Sequence, residues 1–219
     1  MLTLENLNLR QDSFSLTANF SVESGARLAI MGASGAGKST LLLAIAGFVL
    51  PRSGRVFWND QDITKLAAAQ RPAAILFQDQ NLFPHLTLIE NVVLGKTKGQ
   101  RASAQQRQEA GAALSRVGLS GLEARKPAQV SGGQAARAAL ARMLLQGRPL
   151  WLLDEPFAAL DEDLRREMLD LTGEVAGQIG ATVMMITHQR QDAAQFAQSV
   201  VYVAEGVARA PISAADHLS

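Results

Sequence analysis

Three observations predict an α/β fold: a mainly parallel sheet, preceded by antiparallel strands and interrupted by a helical insert. Apolar strand-like runs alternate with helix-like runs over residues 150–203, the pattern of strand–helix–strand units. Residues 2–22 instead alternate apolar and polar residues with period two, which suits antiparallel strands with one face on a core. Residues 28–48 join a short apolar strand to a helix through a glycine-rich turn, the setting that a phosphate-binding loop requires.

That last unit carries the chemistry. Leu28-Ala29-Ile30-Met31 leads into Gly32-Ala33-Ser34-Gly35-Ala36-Gly37-Lys38-Ser39-Thr40, and a helical run to Phe48 follows. The glycines let main-chain N–H groups turn inward on an anion. The helix N-terminus adds partial positive charge. Lys38 is placed to reach terminal phosphates and Ser39 to offer its hydroxyl to Mg²⁺. The fold class is thus a P-loop NTPase core with N-terminal antiparallel strands and an inserted α-helical subdomain.

Taken in order, Leu2, Leu4, Leu7 and Leu9 mark one strand and Phe14, Leu16, Ala18, Phe20 and Val22 a second. Glu23-Ser24-Gly25 is a turn before the strand at residues 27–31. The helix after the loop ends near Gly47, and Pro51-Arg52-Ser53-Gly54 turns into a short strand at residues 56–58. A polar helical stretch is expected up to about Gln70, then a buried strand at residues 73–77 ending at Gln78. From residue 86 to about 148, helix formers rich in Ala, Gln and Arg dominate, with one strand-like run at residues 91–94 and a polar, mobile stretch at residues 95–107. The core, residues 1–85, resumes at 149 with the strand Leu150-Trp151-Leu152-Leu153. A helix at residues 163–178, a strand at 182–187, a helix at 191–198 and a strand at 200–203 complete it. Residues 211–219 read as a tail with no assigned role.

Composition bounds the function. The chain has 219 residues, 47% of them hydrophobic, enough for one domain with a substantial core. A net charge of +1 gives no global field toward nucleic acid, and no nucleic-acid partner is expected. There are no cysteines, so disulfides and thiolate metal sites are excluded. No apolar run approaches the roughly 18 residues of a membrane span, and Glu5 and Arg10 interrupt the N-terminus before a signal peptide could form. The expectation is a soluble, cytoplasmic chain that reaches a membrane only through a partner.

Four further positions stand out. Asp154 and Glu155 end an apolar strand, where one carboxylate can hold Mg²⁺ beside the loop and the next can polarise water. Gln78 and His188 also follow strands, and open α/β sheets bind ligands outside the carboxyl ends of their strands. Gln78 is a candidate for Mg²⁺ or the attacking water, and His188 for the γ-phosphate and for orienting Glu155. Ser131-Gly132-Gly133-Gln134 opens an alanine-rich helix: a cap plus exposed N–H groups at a positive helix end makes a second anion site without a lysine, or simply a capped helix start.

Together these motifs, with Ala159-Leu160-Asp161, resemble an ABC-transporter ATPase subunit in both order and spacing over nearly the whole chain. The resemblance implies ATP hydrolysis by a dimer with two ATP molecules sandwiched between subunits. Each ATP would meet the loop at residues 32–40, Gln78, Asp154, Glu155 and His188 of one chain. Ser131, Gly132, Gly133, Gln134 and Asp161 would come from the other. It further implies an integral membrane permease subunit, a periplasmic solute-binding protein, and a place on the cytoplasmic face of the inner membrane. Leu76-Phe77-Gln78-Asp79-Gln80-Asn81-Leu82-Phe83-Pro84-His85-Leu86-Thr87 and Glu155-Pro156-Phe157-Ala158-Ala159-Leu160-Asp161 look like importer ATPases of the thiamine, ferric-iron and polyamine type. The compact length and the run from Leu41 to Phe48 are most similar to the thiamine group.

The pattern departs from the family in three places. Val130 stands where leucine is usual, and Ala135 and Ala136 replace polar residues, changes that bear on turnover more than on ATP binding. The expected adenine-stacking tyrosine is not evident, and Phe14, whose ring also offers a face, is a candidate substitute. Importers of iron or polyamines, and non-transport ABC ATPases acting on DNA or in translation, stay open at this point. A P-loop kinase or GTPase is opposed by Ser131–Gln134 and His188.

Overall fold

The computed structural model describes residues 1–11, 14–78, 82–97 and 101–218, so Asp79, Gln80 and Asn81 of the importer-like stretch and Ser219 of the tail lie outside the described residues. Strands β1 (Leu2–Gln11), β2 (Phe14–Val22) and β3 (Arg27–Met31) precede helix α1 (Lys38–Ala46). Next come β4 (Ser53–Trp58), β5 (Gln61–Asp62) and β6 (Ala73–Leu76). Helices α2 (Leu88–Val93), α3 (Ala104–Arg116) and α4 (Gly132–Gln146) follow. The remainder is β7 (Leu150–Asp154), α5 (Glu162–Ile179), β8 (Thr182–Ile186), α6 (Arg190–Phe196) and β9 (Ser199–Ala204). Two-residue strands β10 (Val207–Ala208) and β11 (Ile212–Ser213) and helix α7 (Ala214–Leu218) close the chain.

Among the described residues the strands run in the order β5-β4-β1-β2-β10-β9-β3-β8-β7-β6, with β11 on β9. The segment β9-β3-β8-β7-β6 is parallel throughout, and β1, β2, β4 and β5 form an antiparallel leaf. Strand β10 splices the two: Val207 and Ala208 pair parallel with β2 and antiparallel with β9.

Period two explains how a continuous apolar strand serves two layers. Along β7, Leu150 and Leu152 enter the core shared with α1 and the antiparallel leaf, whereas Trp151 and Leu153 enter the core shared with α2–α5. Helix α1 is apolar all round because it lies between the leaf and the parallel sheet, with Leu41, Leu42, Ala44 and Ile45 fully buried.

The far end of α1 is clamped by a buried cation. Gly47 adopts a left-handed conformation (φ 88°) that closes the helix. Arg71, 0% exposed, donates through Nη1 to the Ala44 and Ile45 carbonyls (2.8 Å each). Its Nη2 donates to Thr64 O (2.6 Å) and its Nε to Leu66 O (3.1 Å). Positive charge at a helix C-terminus is favourable. Burial pulls the guanidinium below its usual range, against the nearby Asp62.

Three expectations need correction. The stretch before Gln70 is not an ordinary helix: Asp62 Oδ1 accepts from Thr64 N and Oγ1 (2.8 and 2.5 Å), a side-chain turn that competes with helix, and only a 3₁₀ turn forms at Ala68–Gln70. Residues 91–93 of the strand-like run are helical, because Thr87 and Glu90 form a capping box that starts α2 ahead of the two valines. Of the stretch thought mobile, residues 104–107 are the first turn of α3, started by a second capping box, Ser103 with Gln106. The tail, to which no role was assigned, forms β11 and α7 among its described residues, with Ala214 packed on Ala29, Met31 and Val200. No helix among the described residues is long and apolar enough to cross a membrane.

Arg71→Met takes the guanidinium donors from four carbonyls, three of the bonds fully buried, and leaves Ala44 O only the Gly47 N–H. We expect it to cost about 3 kcal/mol, read as a lower urea midpoint with an unchanged slope. Arg71→Lys should cost less, since an ammonium keeps the charge and part of the bonding.

Candidate active site

Parallel pairing sets the site. Strands β3, β8 and β7 are neighbours in register, so the loop after β3, His188 beyond β8, and Asp154 and Glu155 at the end of β7 come to one rim. Gln78 lies two residues beyond β6, on the same rim and exposed. Residues 150 positions apart in sequence thus become neighbours without any long loop.

The glycine loop rises from β3 and ends in Gly37, the left-handed cap of α1 (φ 98°). A Cβ on Gly37 would lie 2.2 Å from Cζ of Phe14, so the ring of Phe14 packs against the loop. Lys38 is 5% exposed, and its Nζ donates to the carbonyls of Gly32 (3.0 Å) and Ala33 (2.9 Å), folding back over the loop it follows. Ser34 and Gly35 are exposed at the crest, Ala33 beside them, while Ala36 and Thr40 are half-buried at the base. Ser39 Oγ donates to Asp154 Oδ1 (3.1 Å), joining α1 to the end of β7.

Glu155 holds an unusual backbone. Its φ of 47° is left-handed, a conformation that costs a non-glycine residue on the order of 1–3 kcal/mol and clusters at functional sites. The strain persists because its N–H is held by Ile186 O of β8 (3.2 Å) and its carboxylate accepts from Nε2 of His188 (2.7 Å).

Burial pushes the Asp154 carboxyl above the ordinary aspartate range; the Ser39 bond opposes this and the Glu155 charge adds to it. Burial also pulls Lys38 down, while Glu155 and Asp154 hold it up. The site therefore contains a desolvated cation and a desolvated anion side by side, an arrangement that costs stability and favours an incoming charged ligand.

The second group of candidates sits apart from this rim, at two helix starts. Ser131 caps α4: its Oγ accepts from Gln134 N (3.2 Å), and Gln134 Oε1 accepts from Ser131 N (3.0 Å). Gln134 thus serves the cap. Asp161 caps α5 by accepting from Leu164 N (3.0 Å). The two starts pack together. A Cβ on Gly133 would lie 2.6–3.0 Å from the Leu164 side chain, and one on Gly132 3.6 Å from Leu160. Ser131, Gly132 and Asp161 are exposed.

Residues missed from the sequence include Asn91 and Arg71. Asn91, fully buried, accepts from Phe83 N (2.7 Å) and donates to the carbonyls of Phe83, Leu86 and Thr87 (3.1, 3.2 and 3.0 Å). It shapes the turn that leaves Phe83 exposed. Its one signal was a polar residue among apolar neighbours.

The fold and rim define a P-loop ATPase cassette. The chain belongs to the ABC transporter family, whose profile matches residues 16–158. Among curated relatives, the thiamine import ATP-binding protein ThiQ of Cereibacter sphaeroides is 52% identical over 211 residues, covering 96% of this chain and 91% of that protein. ThiQ of a Ruegeria species is 50% identical over 94% of this chain and 89% of its own length. ThiQ of Yersinia pseudotuberculosis is 46% identical over 94% and 87%. Among solved structures, a dimeric ATP-binding cassette in a post-hydrolysis state with ADP and Pi superimposes with a TM-score of 0.82 at 29% identity, over 98% of this chain and 99% of that one. The ADP conformation of another cassette gives 0.90 at 25% identity, over 100% and 92%.

Because Asp154's carboxyl is raised in the folded state, the folded chain binds that proton more tightly. Stability is therefore lost as pH rises from the ordinary aspartate value to the raised one, and the full penalty stands at neutral pH. Asp154→Asn should melt a few degrees above the wild type at neutral pH without nucleotide. The gap should close as pH falls into the carboxylate range, as read by calorimetry.

Proposed function

We propose that this chain is the ATP-hydrolysing subunit of a thiamine importer. It works as a homodimer on the cytoplasmic face of the inner membrane, beneath a permease fed by a periplasmic solute-binding protein. The observation that carries the substrate is the run of ThiQ relatives at 46–52% identity over nearly their whole length. The observation that carries the chemistry is the Glu155–His188 pair, 2.7 Å apart on the rim beside Lys38.

ATP enters with its phosphates on the N–H groups of the loop and the N-terminus of α1. Lys38 exchanges its two carbonyl partners for phosphate oxygens. Ser39 and Asp154 bring two hard oxygens within 3.1 Å of each other, a donor set that suits Mg²⁺, and Gln78 adds an amide from the next strand. When bound, the ion offsets the charge of the phosphates. Glu155 orients and deprotonates water, and His188 holds that carboxylate while facing the γ-phosphate. Phe14 stacks on adenine or props the loop from below.

A second copy contributes Ser131, Gly132, Gly133, Gln134 and Asp161. ATP joins the two half-sites, and hydrolysis removes the bridge. Closure is tied to the permease through the exposed apolar surface. Phe83 is 47% exposed at the turn shaped by Asn91, and Phe48, 59% exposed, meets Phe77 edge-on at 6.4 Å.

The test is reconstitution in vesicles with the permease and binding protein that copurify with this chain. Hydrolysis should rise when thiamine is supplied, and not with ferric iron or polyamines. Glu155→Gln should lower kcat at least 100-fold, within the range of general-base catalysis, while ATP affinity stays within twofold. Hydrolysis by Glu155→Gln at the wild-type rate would remove the base assignment. Stimulation by another solute alone would remove thiamine.

A further inference from the structure

The two half-sites of one chain are joined by a buried polar chain that the reaction scheme leaves unused. Arg165 of α5 donates from Nε to Asp192 Oδ1 of α6 (3.1 Å) and from Nη1 to the carbonyl of Leu160 (3.4 Å). Both side chains are nearly buried, at 12% and 13% exposure. The other oxygen of Asp192 accepts from Thr187 Oγ1 (3.1 Å), and that hydroxyl accepts from Gln189 N (3.1 Å). Thr187 and Gln189 are the two neighbours of His188. At the opposite end, Leu160 and Leu164 pack on Gly132 and Gly133. A continuous path therefore runs from the Ser131 surface, through Leu160 and Arg165, to Asp192, Thr187 and the loop that aims His188 at Glu155.

Along this path polar contacts hold the loops. A cavity of about 40 Å³, lined by Glu155, Phe157, Leu169, Met185, His188 and Asp192, lies between the turn after Glu155 and the His188 loop. That is space for about one water molecule. Arg165 and Asp192 bridge the segments on either side of the cavity.

We infer that Arg165 and Asp192 are positioning residues that make hydrolysis in one chain depend on what engages its own Ser131–Asp161 surface. This rests on the reading that two copies sandwich ATP. A nucleotide held by the partner presses on the helix starts of α4 and α5. The rigid Arg165–Asp192 link then moves the His188 loop relative to Glu155. Each site in the dimer is informed of the other's occupancy without a contact between the two nucleotides.

The test uses the full chain with magnesium and ATP. Initial rates are followed against ATP and protein concentration, nucleotide affinity by titration with a fluorescent ATP analogue, and folding by thermal melting. Asp192→Asn keeps shape but removes the charge. Thr187→Val removes only the hydroxyl and serves where Asp192→Asn fails to fold. Each should lower kcat about 10-fold or more and bring the Hill coefficient from above 1.5 toward 1. Analogue affinity should stay within twofold. Wild-type kcat and cooperativity in a folded variant overturn the proposal and leave the sandwich reading intact. So does a loss of kcat that only tracks lost affinity. A wild type whose rate is strictly proportional to protein concentration, with a Hill coefficient of 1, overturns the sandwich reading and the proposal with it.

Discussion

The side-by-side pairing of β3, β8 and β7 is the constraint on which the site depends. Each parallel strand delivers its last residues to the same rim, so the glycine loop, His188 and the Asp154–Glu155 pair converge although long stretches of chain separate them. No loop has to be long or specially shaped to bring them together. The burden falls on the strands' apolar side chains, which alternate between two cores and lock the register: a slip of one residue would turn Trp151 and Leu153 toward α1 and lose both layers. The packing of the interior and the geometry of the chemistry are one problem solved once.

The site is also where local preference yields. Lys38 is desolvated, Asp154 is driven toward its neutral form, and Glu155 keeps a backbone conformation that its side chain disfavours. None of these stabilises the empty chain. Each is held by an immediate neighbour: Lys38 by loop carbonyls, Asp154 by Ser39, Glu155 by Ile186 and His188. A polyanion with a bound cation offers partners to the first two at once, which is why a site costly when empty suits a triphosphate.

Much of this was legible in the residues. Short apolar runs, glycines before a lysine, and charged or polar residues at strand ends have local causes, and they marked the strands and rim residues at their places. What escaped had non-local causes. Arg71 reads as one more surface cation until the last carbonyls of α1 are laid beside it. Asn91 and the valines after it looked extended, because their helix is dictated by the capping box of Thr87 and Glu90 just before them and by the turn they close over. The polar stretch before Gln70 had helical composition, but Asp62 spends its carboxylate on Thr64 and bends the chain instead. The Arg165–Asp192 link joins two helices through groups with no motif.

Helix α1 has a mechanical consequence. Nine residues long, and so about 14 Å from end to end, it spans the interior from the glycine loop to the corner where Arg71 grips it and Phe48 emerges. Apolar on every side and wedged between two leaves of sheet, it has little freedom to bend or slide within its sheath. Displacement at the end that carries the glycine loop must therefore reappear as displacement of Phe48, like the far end of a pushrod.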